Sequence, residues 1–99
     1  MTTTYKALAD PSRRAILDLL ARGEQTATEV ANAVGVSGPN ASYHLDLLRQ
    51  AGLVTAVKDG RFVRYSLATT AIEEVASWML SLVRAGEADS TREADPGAA

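Results

Sequence analysis

The sequence predicts a mainly α fold carrying one β-hairpin, and three observations lead there. Apolar residues recur at three- and four-residue spacing in successive stretches. Two of those stretches are parted only by Gly35-Val36-Ser37, a turn short enough to force a steep corner. Downstream, LVTAVK-DG-RFVRYSL centres an alternating run on Asp59-Gly60, a strong hairpin signal.

The elements follow in order. Tyr5 and Leu8 suit a short first helix. Asp10-Pro11 starts a second one, because Asp can cap the free N–H groups of the first turn and Pro has its φ preset. Ile16, Leu19 and Leu20 form its stripe, and Gly23 ends it. Arg13, Arg14, Asp18 and Arg22 fall mostly off that stripe. Thr26-Ala27-Thr28-Glu29 reads as a capping box, opening a helix over Thr26–Val34. Ser37 is the next cap, and a helix over about Gly38–Ala51 turns Ala41, Leu45 and Leu48 inward. Small Ala31 lies where the two helices approach.

With Asp59-Gly60 as the hairpin loop, Val54, Ala56, Val63, Tyr65 and Leu67 share one face. Thr55, Val57, Phe62 and Arg64 share the other, and Lys58 and Arg61 flank the tip. A last helix is expected from about Thr70 to Arg84. Ile72, Val75, Ala76, Met79, Leu80 and Val83 keep helical spacing there, and Trp78 and Leu82 widen the stripe. So wide a stripe exceeds what a small domain needs for itself, so a dimer interface is expected. From Gly86 the chain is polar and acidic without periodicity, which predicts a disordered tail. The expected organisation is one domain over 1–84 and an acidic tail over 85–99.

Composition narrows the function classes. Ninety-nine residues, 46% hydrophobic, fit one small domain. The net charge is −2 but uneven: residues 1–68 hold eight Lys/Arg against six Asp/Glu, and residues 69–99 hold two against six. The local field matters more to a polyanion than the total. No cysteine is present, which excludes disulfides, thiolate metal sites and iron–sulfur clusters. The N-terminus lacks the layout of a signal peptide, and no apolar run approaches the ~20 residues of a spanning helix. A cytoplasmic protein is expected.

Helix, helix-turn-helix, hairpin, helix is the order of a winged helix-turn-helix, which sets one helix in the major groove and the wing beside the backbone. The outward residues of the second motif helix are then Asn40, Tyr43, His44 and, in part, Leu47. Ser37 and Ser42 lie near its start, where a hydroxyl and free N–H groups can hold a phosphate, and Pro39 sits in the first turn. Arg49, late on the helix, is either a backbone contact or a surface charge. Lys58, Arg61 and Arg64 suit phosphate contact. His44, the one histidine, has Asn40, Ala41, Leu47 and Leu48 at ligand spacing, so no metal partner. Ser42 diverges from it by about 200° around the helix, so the two make no catalytic pair. A buried core histidine is the bland alternative. The preferred expectation is a groove residue with no partner in its own chain.

Three stretches, LADPSRRAILDLLARG, TATEVANAVGVSGPNASYHLDLLRQAGLV and DGRFVRYSL, resemble the arsenic-repressor (ArsR/SmtB) family of bacterial regulators over roughly residues 5–84. The resemblance implies a homodimeric winged helix joined through its terminal helices, here Tyr5, Leu8, Ile72, Val75, Trp78, Met79 and Leu82. It implies repression by binding double-stranded operator DNA at an inverted repeat, with Ser42, Tyr43 and His44 at positions the family uses on DNA. Family metal sites need cysteines near the first motif helix, or Asp and His on the terminal helix. Here Glu73 and Glu74 stand alone and point about 100° apart, so neither a metal nor a cofactor is expected. TTAIEEVASWMLSL looks most like the small non-metal autorepressor branch. There a membrane immunity-type protein relieves repression by sequestering the repressor. Two other readings stay open: a winged-helix interaction module that never touches DNA, and a repressor released by a small molecule. No convergent acid, base and nucleophile set supports an enzyme.

Overall fold

The computed structural model describes residues 2–93. The chain forms α1 (Thr2–Leu8), α2 (Pro11–Leu20), β1 (Gln25–Thr26), α3 (Ala27–Val34), α4 (Gly38–Gln50), β2 (Val54–Asp59), β3 (Phe62–Leu67) and α5 (Thr69–Glu93). The helix starts follow the caps. The Asp10 carboxylate accepts from the Arg13 N–H at 3.0 Å. Thr26 and Glu29 complete a reciprocal capping box, at 3.2 Å and 2.8 Å. Ser37 Oγ accepts from the Asn40 N–H at 3.2 Å. Between α3 and α4, Gly35 takes φ +80°, and its N–H returns to the Ala31 carbonyl. A Cβ is strained at that φ, so glycine makes the corner cheap.

The core lies where α2, α3, α4 and the base of the sheet meet. Ile16, Val30, Ala41, Leu45, Leu48 and Leu53 are fully buried. Each large apolar side chain among them contributes about 1.5–3 kcal/mol by leaving water. Ala31 and Ala41, both buried, allow the close approach of α3 and α4. Thr4 is buried too; its hydroxyl donates to the Ala51 carbonyl at 3.3 Å and satisfies the end of α4.

Three features depart from the sequence expectation. First, the sheet has three strands in the order β1-β3-β2, and β1 pairs Gln25 with Tyr65 and Thr26 with Arg64. Two residues are too few to show alternation, and they double as the entrance to α3. Second, Asp59 pairs with Phe62, so the hairpin loop is Gly60-Arg61 rather than Asp59-Gly60. Gly60, at φ +63°, opens the loop, as primed turns favour. Asp59 is held in the ladder by a 3.1 Å ion pair to Arg64 Nε. The expected faces survive because the register moves by two. Third, α5 continues past Arg84 to Glu93. Gly86 costs about 1 kcal/mol in a helix interior, but the surrounding Ala, Glu and Arg are good helix formers and no proline lies between Thr69 and Asp95. The expected acidic tail is therefore helical over 85–93, and 94–99 lie outside the described residues.

Candidate nucleic-acid interface

The second motif helix divides cleanly by face. Ala41, Leu45 and Leu48 are buried, whereas Asn40, Ser42 and Tyr43 are exposed on its first half. Tyr43 has 58% of its surface free. Pro39 stands in the first turn, where its missing donor leaves no hydrogen bond unmade. Ser37 spends a lone pair on the Asn40 N–H, and its own O–H remains available to donate. Arg49, near the end, lies 3.4 Å from Asp46 one turn back, with both side chains more than half exposed. Such a pair contributes little to stability and leaves the arginine able to move.

His44 is half-buried, and it does have a partner in its own chain. Arg13 Nη1 lies 3.3 Å from His44 Nδ1. The same guanidinium donates from Nε to the Ala7 carbonyl at 2.8 Å and from Nη2 to the Lys6 carbonyl at 3.1 Å. Arg14 donates to the Leu8 carbonyl at 2.8 Å. The two arginines thus satisfy the last carbonyls of α1, where a cation is also favoured by the helix dipole. Sequence reasoning missed this role because it judged Arg13 and Arg14 only against the apolar stripe of α2. The usable signal was the short spacing between an expected helix end near Leu8 and paired arginines in the next first turn. Asp10, at the same junction, is held below the usual carboxylate range, first by the Arg13 N–H and then by the nearby positive charge of Arg13.

The wing splits the cations expected to act together. Arg61 occupies the turn and Lys58 pairs with Val63 just behind it; both are exposed and form no ion pair with another described residue. Arg64 sits lower. Its hydrogen bond to Asp59 raises its pKa, and Glu24 and Glu29 add to the effect. Within the wing its ion-pair partner is Asp59, at 3.1 Å.

The terminal helix presents an apolar surface. On α5, Trp78, Met79, Leu80, Leu82 and Val83 are each about half exposed, and Tyr5 of α1 packs its ring 5.5 Å from that of Trp78. Val75 is buried, and Leu8 and Ile72 are partly buried against the core. Leu80 and Val83 belong with the outward set.

A corner of two helices, a solvent-facing second helix and a hairpin with a cationic tip together define a winged helix-turn-helix domain. A family model for a helix-turn-helix domain matches residues 8–57. The chain is 40% identical over 89 residues to the transcriptional repressor SdpR of Bacillus subtilis, covering 90% of this chain and 99% of that protein. The chain belongs to the ArsR family of winged helix-turn-helix transcriptional regulators. The regulator CmtR of Mycobacterium tuberculosis is 38% identical over 84 residues, 85% of this chain and 71% of that protein. Among solved structures, an ArsR family transcriptional regulator superposes with a TM-score of 0.78 at 29% identity, covering 87% of this chain and 89% of that one. A homodimeric winged helix-turn-helix DNA-binding domain from Mycobacterium bovis gives 0.68 at 37% identity, covering 96% and 83%.

Proposed function

We propose that this protein is a transcriptional repressor that binds an inverted-repeat operator as a homodimer. The observation that carries the reading is the two-sided α4, whose core face is fully buried while Asn40, Ser42 and Tyr43 stand free. Exposed cations at Lys58 and Arg61 support a backbone contact beside it. The homodimeric state of the Mycobacterium bovis domain and the exposed apolar face of α5 support pairing. The repressor name of the Bacillus subtilis relative supports the direction of control. Ser37, Pro39, Asn40, Ser42, Tyr43, His44, Lys58 and Arg61 form the DNA face. Arg49 joins it by releasing Asp46, and Arg64 is reassigned as a strut of the wing.

The finer reading is autoregulation without a metal sensor. The cysteine-free sequence supports the second half of that reading, since it leaves no thiolate ligand for a soft metal. Relief by a membrane immunity-type protein rests on the resemblance alone. A cleft of roughly 370 Å³ favours a second mode of release, by an apolar small molecule. Leu8, Leu17, Ile72, Val75 and Met79 line it, together with the carboxylate-bearing Asp18. An anisotropy titration against the DNA upstream of its own gene tests the main reading. Saturable, salt-dependent binding is expected, and its absence at low salt contradicts the proposal.

A further inference from the structure

His44 does not present itself to DNA unaided, and the chemistry of its partner restricts what it can read. We propose that Arg13 is a positioning residue for operator recognition: by donating to His44 Nδ1 it holds the imidazole as the Nε2–H tautomer, so that His44 reads a hydrogen-bond acceptor on the DNA. The proposal rests on the DNA-binding reading above.

The argument begins with donor chemistry. A guanidinium has five N–H donors and no acceptor, so at 3.3 Å from Arg13 Nη1 the Nδ1 of His44 must supply the lone pair. A neutral imidazole carries its single proton on the other nitrogen. Arg13 is not free to turn away. Its Nε and Nη2 are held by the Ala7 and Lys6 carbonyls, and its backbone N–H by Asp10. The donor is therefore fixed by two helices before DNA arrives. Among the described residues, no buried side-chain nitrogen or oxygen lacks a partner. His44 makes no second hydrogen bond, so its Nε2 reaches solvent, and the exposed Tyr43 ring lies 5.6 Å from the imidazole. An Nε2–H can serve purine N7, guanine O6, thymine O4 or a phosphate oxygen. It is refused by the amino groups of adenine and cytosine. The same Arg13 grips α1, whose Tyr5 packs on Trp78, so the reader is anchored to the element beside the apolar face of α5.

The test uses the full chain, whose single histidine gives one imidazole spectrum. Long-range ¹H–¹⁵N NMR in mildly alkaline buffer should show the Nε2–H tautomer in the free protein. In Arg13→Met it should show a mixture of tautomers. Finding Nδ1–H in the native protein, or an unchanged tautomer in a folded Arg13→Met variant, overturns the proposal. On DNA, His44→Gln places an amide N–H where Nε2 stands, and His44→Asn places one where Nδ1 stands. Gln should keep operator affinity, and Asn should lose roughly threefold to tenfold. Asn performing as well as histidine while Gln fails overturns the proposal, and this pair also decides the matter if Arg13→Met does not fold. Loss confined to one base pair per half-site identifies a base acceptor, and loss shared by all sequences identifies a phosphate; both support the chemistry. A native protein that binds no duplex contradicts the repressor reading instead, because the tautomer measurement needs no DNA.

Discussion

At the scale of single residues, the wing separates two arginines that composition treats alike. Arg61 stands free in the turn, and Arg64 is tied to Asp59 at 3.1 Å with Glu24 and Glu29 nearby. Arg61→Ala is expected to weaken binding to all sequences alike and to flatten the salt slope by about 1. Arg64→Ala should leave that slope unchanged. Anisotropy titrations at several salt concentrations separate the two. Tyr43→Ala, in contrast, should cost ~1–3 kcal/mol of operator affinity and relax preference at one base pair, read from a panel of half-site variants. The helix face carrying Tyr43 was legible from spacing alone, because Ala41, Leu45 and Leu48 fix the inward direction. The pairing of Arg64 was not, because it joins residues across a ladder whose register depends on which two residues form the turn. The link from Arg13 to His44 was hidden for a similar reason: it spans 31 positions, and no local pattern reports it.

At the scale of elements, the helix starts are set by side chains that must stay ionised or hydrogen-bonded. Asp10 and Glu29 are both held below the usual carboxylate range by N–H groups of their own caps. A carboxylate depressed in the folded state stabilises above its unfolded pKa, and that stability is lost as pH falls through the folded value. Thermal melts should therefore show a loss below the ordinary carboxylate range. Asp10→Asn and Glu29→Gln should each make that acid limb shallower. In the core, Leu45→Ala should cost ~2–5 kcal/mol in chemical denaturation, because its fully buried site cannot collapse completely. These elements were readable because caps, stripes and glycine stops agree with one another. The exceptions were short or weakly patterned. β1 offers two residues, and the far end of α5 has helix-forming residues but no apolar face to advertise them.

At the scale of the whole molecule, α5 draws the chain into an elongated body of 61 × 24 × 23 Å. Its exposed Trp78, Met79, Leu80, Leu82 and Val83 form an apolar surface of the kind that marks an interaction site. The charge is divided along the chain, with a basic balance over residues 1–68 and an acidic one over 69–99. Leu82→Glu should shift sedimentation toward monomer and lower operator affinity together, since half-sites one helical turn apart need two recognition helices at fixed spacing. The most direct single measurement is sedimentation velocity of the protein with a labelled duplex from upstream of its own gene. The account predicts one saturable complex containing two chains per operator, weakened by added salt. A single bound chain, or no complex at low salt, would contradict it.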